Sequence, residues 1–337
     1  MGTYLIKRCL TAILLIFLVS LISFVVMEAP PGDFATHYVE QELQMEVGNK
    51  STKDALLKSI RSEYGLDKPL LTRYYKWIIN IVTEGNFGLS FSYNRPVIAL
   101  LKERLPITIY IGLGTMIFLY IIAVPLGIYT AVQQNKISDY ILTFASFIGI
   151  SIPEFLLTLV LICLAFLYLD WPIGGLFSPH LYDAPWSFEK IVDLIKHLLV
   201  PIVVLGLAST ASTVRVLRAA MLDELGKDYM RVARAKGLSE LRIIFKYPLR
   251  LALNPVLAAV GWQLPHIISG SVMVSLVANI PDIGPLLLKA LMAQDMLLAG
   301  AIVFILSTLT ILGTLFSDVL LVISDPRISY EKETFEK

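Results

Sequence analysis

Residues 105–134 read LPITIYIGLGTMIFLYIIAVPLGIYTAVQQ, a stretch without one charged side chain. An apolar run of about 18 or more residues is long enough to cross the hydrocarbon core of a bilayer as a helix. Residues 13–27 form a second charge-free block. Of all 337 residues, 56% are hydrophobic and 16% charged, and the mean hydropathy is +0.72. Soluble domains average about 45–50% apolar and about 25% charged. The excess arrives in long blocks, which excludes a pair of soluble domains. The chain reads as an all-α polytopic membrane protein.

Outward from that stretch, six spans are expected, at 9–27, 105–132, 141–169, 198–216, 251–276 and 297–323. Several exceed the ~20 residues needed to cross, which permits tilt. Lys7 and Arg8 precede the first block as they would a signal peptide. The run is longer than an ordinary signal core, and no small-x-small cleavage site follows it. It is taken as a retained span. Cys9 and Cys163 both lie in apolar blocks, so no disulfide framework or C-x-x-C site is expected. His37, His180, His197 and His266 are scattered with no second ligand at helical spacing, so no zinc site is expected.

Orientation follows Lys and Arg in the short loops. With the N-terminus inside, cytoplasmic pieces hold 15 basic residues and the two short outer loops hold three: Lys190, Lys196 and Lys289. Both termini are expected in the cytoplasm. The resulting divisions are 1–27 (N-terminus and first span), 28–104 (extracytoplasmic), 105–323 (a five-helix core with a loop at 217–250) and 324–337 (cytoplasmic tail). In the outer segment, Pro30, Pro31 and Gly32 turn the chain out of the membrane. Helices are expected over 51–62 and 70–82, and residues 36–60 look like a local insertion. The whole-chain charge of +1 gives no support to nucleic-acid binding.

Residues 215–250 carry nine basic and four acidic side chains. Within them lies Asp228-Tyr229-Met230-Arg231-Val232-Ala233-Arg234-Ala235-Lys236-Gly237-Leu238-Ser239. A helix is expected to end at Gly237 and another to begin with Ser239 as its cap. Val232, Ala233 and Ala235 are small enough to let a partner surface approach. The charge by itself fits retention of the loop at anionic headgroups equally well.

This loop resembles the EAA loop of permeases of ATP-binding-cassette (ABC) importers. Aligned on Gly237, Arg231-Val232-Ala233 stands where the general motif has Glu-Ala-Ala, and the motif's terminal proline is missing. Asp228 through Ser239 is much closer to the dipeptide/oligopeptide/nickel-type branch, whose loop it follows residue by residue. Other stretches resembling that branch are Pro31-Gly32-Asp33, Tyr64 to Leu70, Gly85 to Tyr93, Arg104-Leu105-Pro106-Ile107-Thr108, Ser151-Ile152-Pro153 and Asp325-Pro326-Arg327. They occur in family order along nearly the whole chain.

The resemblance implies a type I importer permease in the inner or plasma membrane of a prokaryote. It forms half of a pathway with a second homologous permease, two cytoplasmic ATPase subunits and an extracytoplasmic solute-binding protein. Di- or oligopeptides are the implied substrate, with nickel complexes or oligosaccharides as the alternative. The chain has no G-x-x-x-x-G-K-[ST] phosphate loop. ATP and magnesium therefore belong to partner subunits, and the chain is a transport subunit rather than an enzyme. Asp228, Tyr229, Arg231, Ala233, Arg234, Ala235, Lys236 and Gly237 are the expected ATPase contact.

Ionisable residues inside spans are functional candidates by default. Glu154 is expected near the middle of the third span, beside Pro153, where it pairs a peptide ammonium or serves as a packing carboxyl. His266 is the other pathway candidate. Asp318 is expected in an interhelical structural role, and Pro125, Gly127 and Pro153 at kinks or close contacts. An ion-coupled secondary transporter is the rival of another class. It calls for more buried acids than these spans contain.

Overall fold

The computed structural model describes residues 2–28, 55–59, 61–62, 67–169, 171 and 174–324. The expected turn at Pro30 to Asp33, most of the 36–60 insertion, Tyr64 to Leu66 and the tail with Asp325-Pro326-Arg327 lie outside the described residues. Of the helix expected over 51–62, residues 55–59 and 61–62 are helical.

In chain order the elements are α1 (Gly2–Glu28), α2 (Leu70–Glu84), β1 (Leu89–Ser90), β2 (Arg95–Pro96), α3 (Val97–Val132), α4 (Ile137–Ser151), α5 (Glu154–Leu169), α6 (Phe188–Leu225), α7 (Asp228–Ala235), α8 (Glu240–Lys246), α9 (Pro248–Ala252), α10 (Asn254–Val277), α11 (Ile283–Met292) and α12 (Met296–Ser324). Five of them (α1, α3, α6, α10 and α12) are long and apolar enough to cross a membrane. The antiparallel pair β1–β2, two residues a side, qualifies the all-α expectation.

The third expected span is not one straight helix. It is two helices, α4 and α5, bent by 101° at a break. At ~1.5 Å per residue, each is shorter than a ~30 Å hydrocarbon core. Proline has no N–H and disfavours helical geometry in the residue before it. Ile152 is accordingly extended (φ −93°, ψ 124°), and the Pro153 carbonyl accepts from the N–H groups of Leu156 and Leu157 at 3.0 Å, opening α5. Pro125, by contrast, sits within continuous α3. Gly127 marks a close contact, since a Cβ there would lie 2.9 Å from Leu217 Cδ2.

The chain divides into two compact units. The first comprises residues 1–12, 107–284 and 310–337. Its axis is α6, which packs against α10, α4, α9 and α5. Ser187 caps α6 by accepting from the Lys190 N–H at 3.2 Å, and the helix runs unbroken through Pro201 to Leu225. Its 38 residues make ~57 Å of rod, well beyond the bilayer core. Val204, Leu205, Ile267, Val274 and Ile280 form one apolar core, and Leu217, Met221, Ala252 and Val256 another.

Polar links join these helices. Tyr120 donates to Gln263 Oε1 (2.6 Å) and Gln263 Nε2 donates to Thr213 Oγ1 (3.0 Å), joining α3, α10 and α6. Arg218 Nε and Nη2 hold both carboxylate oxygens of buried Asp139 (3.1 and 2.7 Å), tying α6 to the start of α4. Asp318 pairs with Arg8 at 3.1 Å, the interhelical role expected of it.

The second unit comprises residues 13–106 and 285–309. Here Tyr74 and Trp77 of α2 are buried against Phe24 of α1, and Trp77 stacks edge-on with Phe304 of α12. Fully buried Asp295 caps α12 by accepting from the Leu298 N–H (3.2 Å) and also accepts from the Ser92 N–H (3.2 Å).

Candidate functional site

The loop between α6 and α10 folds as three short helices. Only Gly226 and Lys227 separate α6 from α7. The α7 carbonyls are closed off by Lys236 and Gly237, whose φ is +73°. A Cβ at 237 would meet nothing within 4 Å, so glycine is required by backbone geometry rather than by space. Ser239 occupies the cap position of α8, as expected, but its side chain makes no capping hydrogen bond.

The two faces of α7 differ. Met230 and Ala233, one turn apart, are buried with Ile243 of α8 against Leu225, Leu238 and Tyr247. Burying a side chain such as Met230 contributes ~1.5–3 kcal/mol, which holds α7 on α8. Tyr229 donates to Glu224 Oε2 at 2.6 Å. Burial and that carboxylate push its phenol above the ordinary tyrosine range, leaving a neutral donor at physiological pH. Arg234 Nε donates to Glu240 Oε1 at 2.8 Å.

Asp228, Arg231, Val232, Ala235, Lys236 and Gly237 are exposed. The small residues thus divide: Val232 and Ala235 face outward, whereas the methyl of Ala233 is used in packing on α8. Asp228 at the N-terminus and Arg234 in the last turn complement the helix dipole. The outward surface sets Arg231 and Lys236 beside the small apolar Val232 and Ala235, two residues beyond the end of α6.

The pathway candidates also come together, though not where the sequence put one of them. Glu154 is in the first turn of α5, just beyond the break, rather than at mid-span. Its carboxylate lies over Gly270 of α10, where a Cβ would be 2.7 Å from Oε2. His266, one helical turn before Gly270 on α10, is exposed. Pro153 creates the break, and Gly270 opens the room for the carboxylate. No sequence signal singled out Gly270.

Two features define the class: a multi-pass helical membrane protein, and a compact helical platform on the loop between α6 and α10. Comparisons with known proteins sharpen it. The model of the family described as "Binding-protein-dependent transport system inner membrane component" matches residues 123–330. A companion model, "Binding-prot-dependent transport system membrane comp, N-term", matches residues 1–112. The oligopeptide transport system permease protein AppB of Bacillus subtilis is 36% identical over 332 residues, covering 98% of this chain and 100% of that protein. The dipeptide transport system permease protein DppB of Lactococcus lactis subsp. cremoris is 32% identical, with 97% and 99% covered. Among solved structures, a chain of the MetNI methionine ABC transporter, in inward-facing form, shares the fold. Its TM-score is 0.54 at 18% identity, covering 67% of this chain and 97% of that one. The chain belongs to the family of binding-protein-dependent transport system inner membrane components.

Proposed function

We propose that the chain is one of two permease subunits of an ATP-driven importer for di- or oligopeptides in a prokaryotic inner membrane. The observation that carries this reading is full-length similarity to permeases whose names specify oligopeptide and dipeptide transport. In this reading the bent pair α4–α5 counts as one of six spans and both termini are cytoplasmic. Residues 28–104 are extracytoplasmic, and 217–250 form the coupling loop. A second permease completes the pathway, two ATPase subunits bind ATP and magnesium, and a solute-binding protein delivers the peptide outside.

The mechanism proposed for coupling uses the outward face of α7. Arg231, Val232, Ala235 and Lys236 seat in a groove of an ATPase subunit. Tyr229, Ala233 and Arg234 hold α7 on α8 and α6, Asp228 supports its N-terminus, and Gly237 sets the turn behind it. Because α6 continues rigidly from the membrane to within two residues of α7, a displacement of α7 is transmitted to α6 and, through α8 and α9, to α10. The two arrangements of the pathway are then inward-open and outward-open. Glu154, with His266 beside it, offers an anionic partner to a peptide ammonium at the break below Pro153.

The test is uptake of a labelled tripeptide into proteoliposomes holding the assembled complex, with the binding protein outside. Uptake that needs ATP supports the reading. Uptake driven by an ion gradient without ATP refutes it.

A further inference from the structure

Helix α2 carries three distinct sectors around its circumference. Tyr74 and Trp77 are buried. Leu71, Tyr75, Ile79 and Val82 form an exposed apolar stripe, with Leu71 and Val82 at 73% and 78% exposure. Thr72, Lys76, Asn80 and Thr83 form a polar line. At 3.6 residues per turn, the stripe directly continues the buried sector, giving one apolar arc of roughly 200°. α1 and α12 cover part of that arc, and the stripe is the remainder.

The depth of α2 says what lies against the stripe. Tyr74 donates to or accepts from Ser20 Oγ at 2.7 Å, and its ring packs on Phe17 and Phe24. These α1 residues precede Glu28, the helix end, by four to eleven positions, so the contact lies ~6–16 Å inside the end of the helix. Trp77 meets Phe304, about 12 Å along α12 from its start. Two long apolar helices therefore give the same answer: α2 sits at the level of the hydrocarbon boundary, not above it. Arg73, paired with Glu28, marks the polar edge. On the polar side, Lys76 is exposed in the polar line of α2, and Lys68, exposed as well, lies just before the helix.

We propose that α2 is an interfacial anchor, with Leu71, Tyr75, Ile79 and Val82 resting in the headgroup–acyl boundary and Lys68 and Lys76 against anionic lipid phosphates. Aromatic and basic side chains at that depth are what membrane interfaces select. The proposal rests on α1 and α12 crossing the bilayer, and on no particular substrate. Its role is to fix residues 70–84 at a set height on the membrane.

The test uses the full chain with Cys9→Ser and Cys163→Ser, in nanodiscs of phosphatidylethanolamine and phosphatidylglycerol. A fluorescent bimane is placed singly by Val82→Cys, Tyr75→Cys, Thr83→Cys or, as a control in α1, Ile22→Cys. Dibrominated lipid should quench Val82→Cys and Tyr75→Cys about two-fold or more over Thr83→Cys, and aqueous iodide should give the reverse order. Replacing the anionic lipid by phosphatidylcholine, or introducing Lys68→Gln with Lys76→Gln, should reduce lipid quenching at Val82→Cys. No effect of either change overturns the headgroup contact. If Ile22→Cys is quenched by lipid while Val82→Cys is not, the anchor is refuted. Iodide quenching would then indicate water, and silence to both quenchers a protein cover. If Ile22→Cys escapes lipid quenching, the spanning assignment of α1 fails and the anchor fails with it.

Discussion

The opposed faces of α7 make a paired substitution informative. Ala233 is 5% exposed and lies between Met230 and Ile243, both at 0%. Tryptophan there has no volume to enter, and overpacking of this kind costs ~1–3 kcal/mol or more. Ala235 faces solvent, and substitutions at such positions stay within about ±0.5 kcal/mol. Ala235→Trp should therefore leave membrane insertion and the thermal unfolding of the purified chain unchanged. If the proposed coupling holds, it should cut uptake about ten-fold or more, because an indole would stand on the face assigned to the ATPase; a ten-fold weakening of docking is ~1.4 kcal/mol. Ala233→Trp should lower thermal stability as well as uptake. The assays are unfolding in detergent, uptake by proteoliposomes, and ATPase activity with and without loaded binding protein. Normal uptake by Ala235→Trp would refute the assignment of the outward face, and loss of stability in that variant would refute the packing argument.

Other outcomes follow from the same geometry. Gly237→Ala places a Cβ on a residue at φ +73°, so it should destabilise the α7 cap by ~1 kcal/mol, with Gly237→Asn milder; hydrogen exchange of the α7 amides reads the difference. Arg218→Leu leaves the buried Asp139 carboxylate without its bidentate partner, at a cost of ~2–3 kcal/mol in thermal unfolding, discounted for the partial exposure of Arg218. Asp139→Leu in the same chain should recover most of that loss. Glu154→Gln should raise the apparent KM for peptides with a free amino terminus and leave N-acetylated ones unchanged. Equal effects on both would count against an ammonium contact.

Much of this architecture was legible in the sequence. The expected helix over 70–82 is α2, and the break read at Gly237 is the end of α7, because amphipathic period and a left-handed glycine are local signals. A kink or close contact was expected at Pro153, but a bend as large as 101° was not legible. Both halves are uniformly apolar, so nothing but the proline separates one long span from two short helices. Ala233 shows a second limit: a small side chain is equally suited to an external partner and to a neighbouring helix, and only the position of Ile243 decides between them. Gly270 was invisible for a different reason, since its meaning depends on Glu154, which is remote in sequence. α11 was missed because its short apolar helix merges with the turn after α10.

In the proposed mechanism, ATP drives movement of this chain through α7. It is tested most directly by pairing Ala235→Cys with a cysteine in the groove of the ATPase subunit and following tripeptide uptake by the assembled complex before and after disulfide formation. The expected result is that the disulfide forms in the assembled complex and that ATP-dependent uptake persists after it has formed. A failure to form the cross-link in the complex, with uptake intact and independent of ATP, would contradict it.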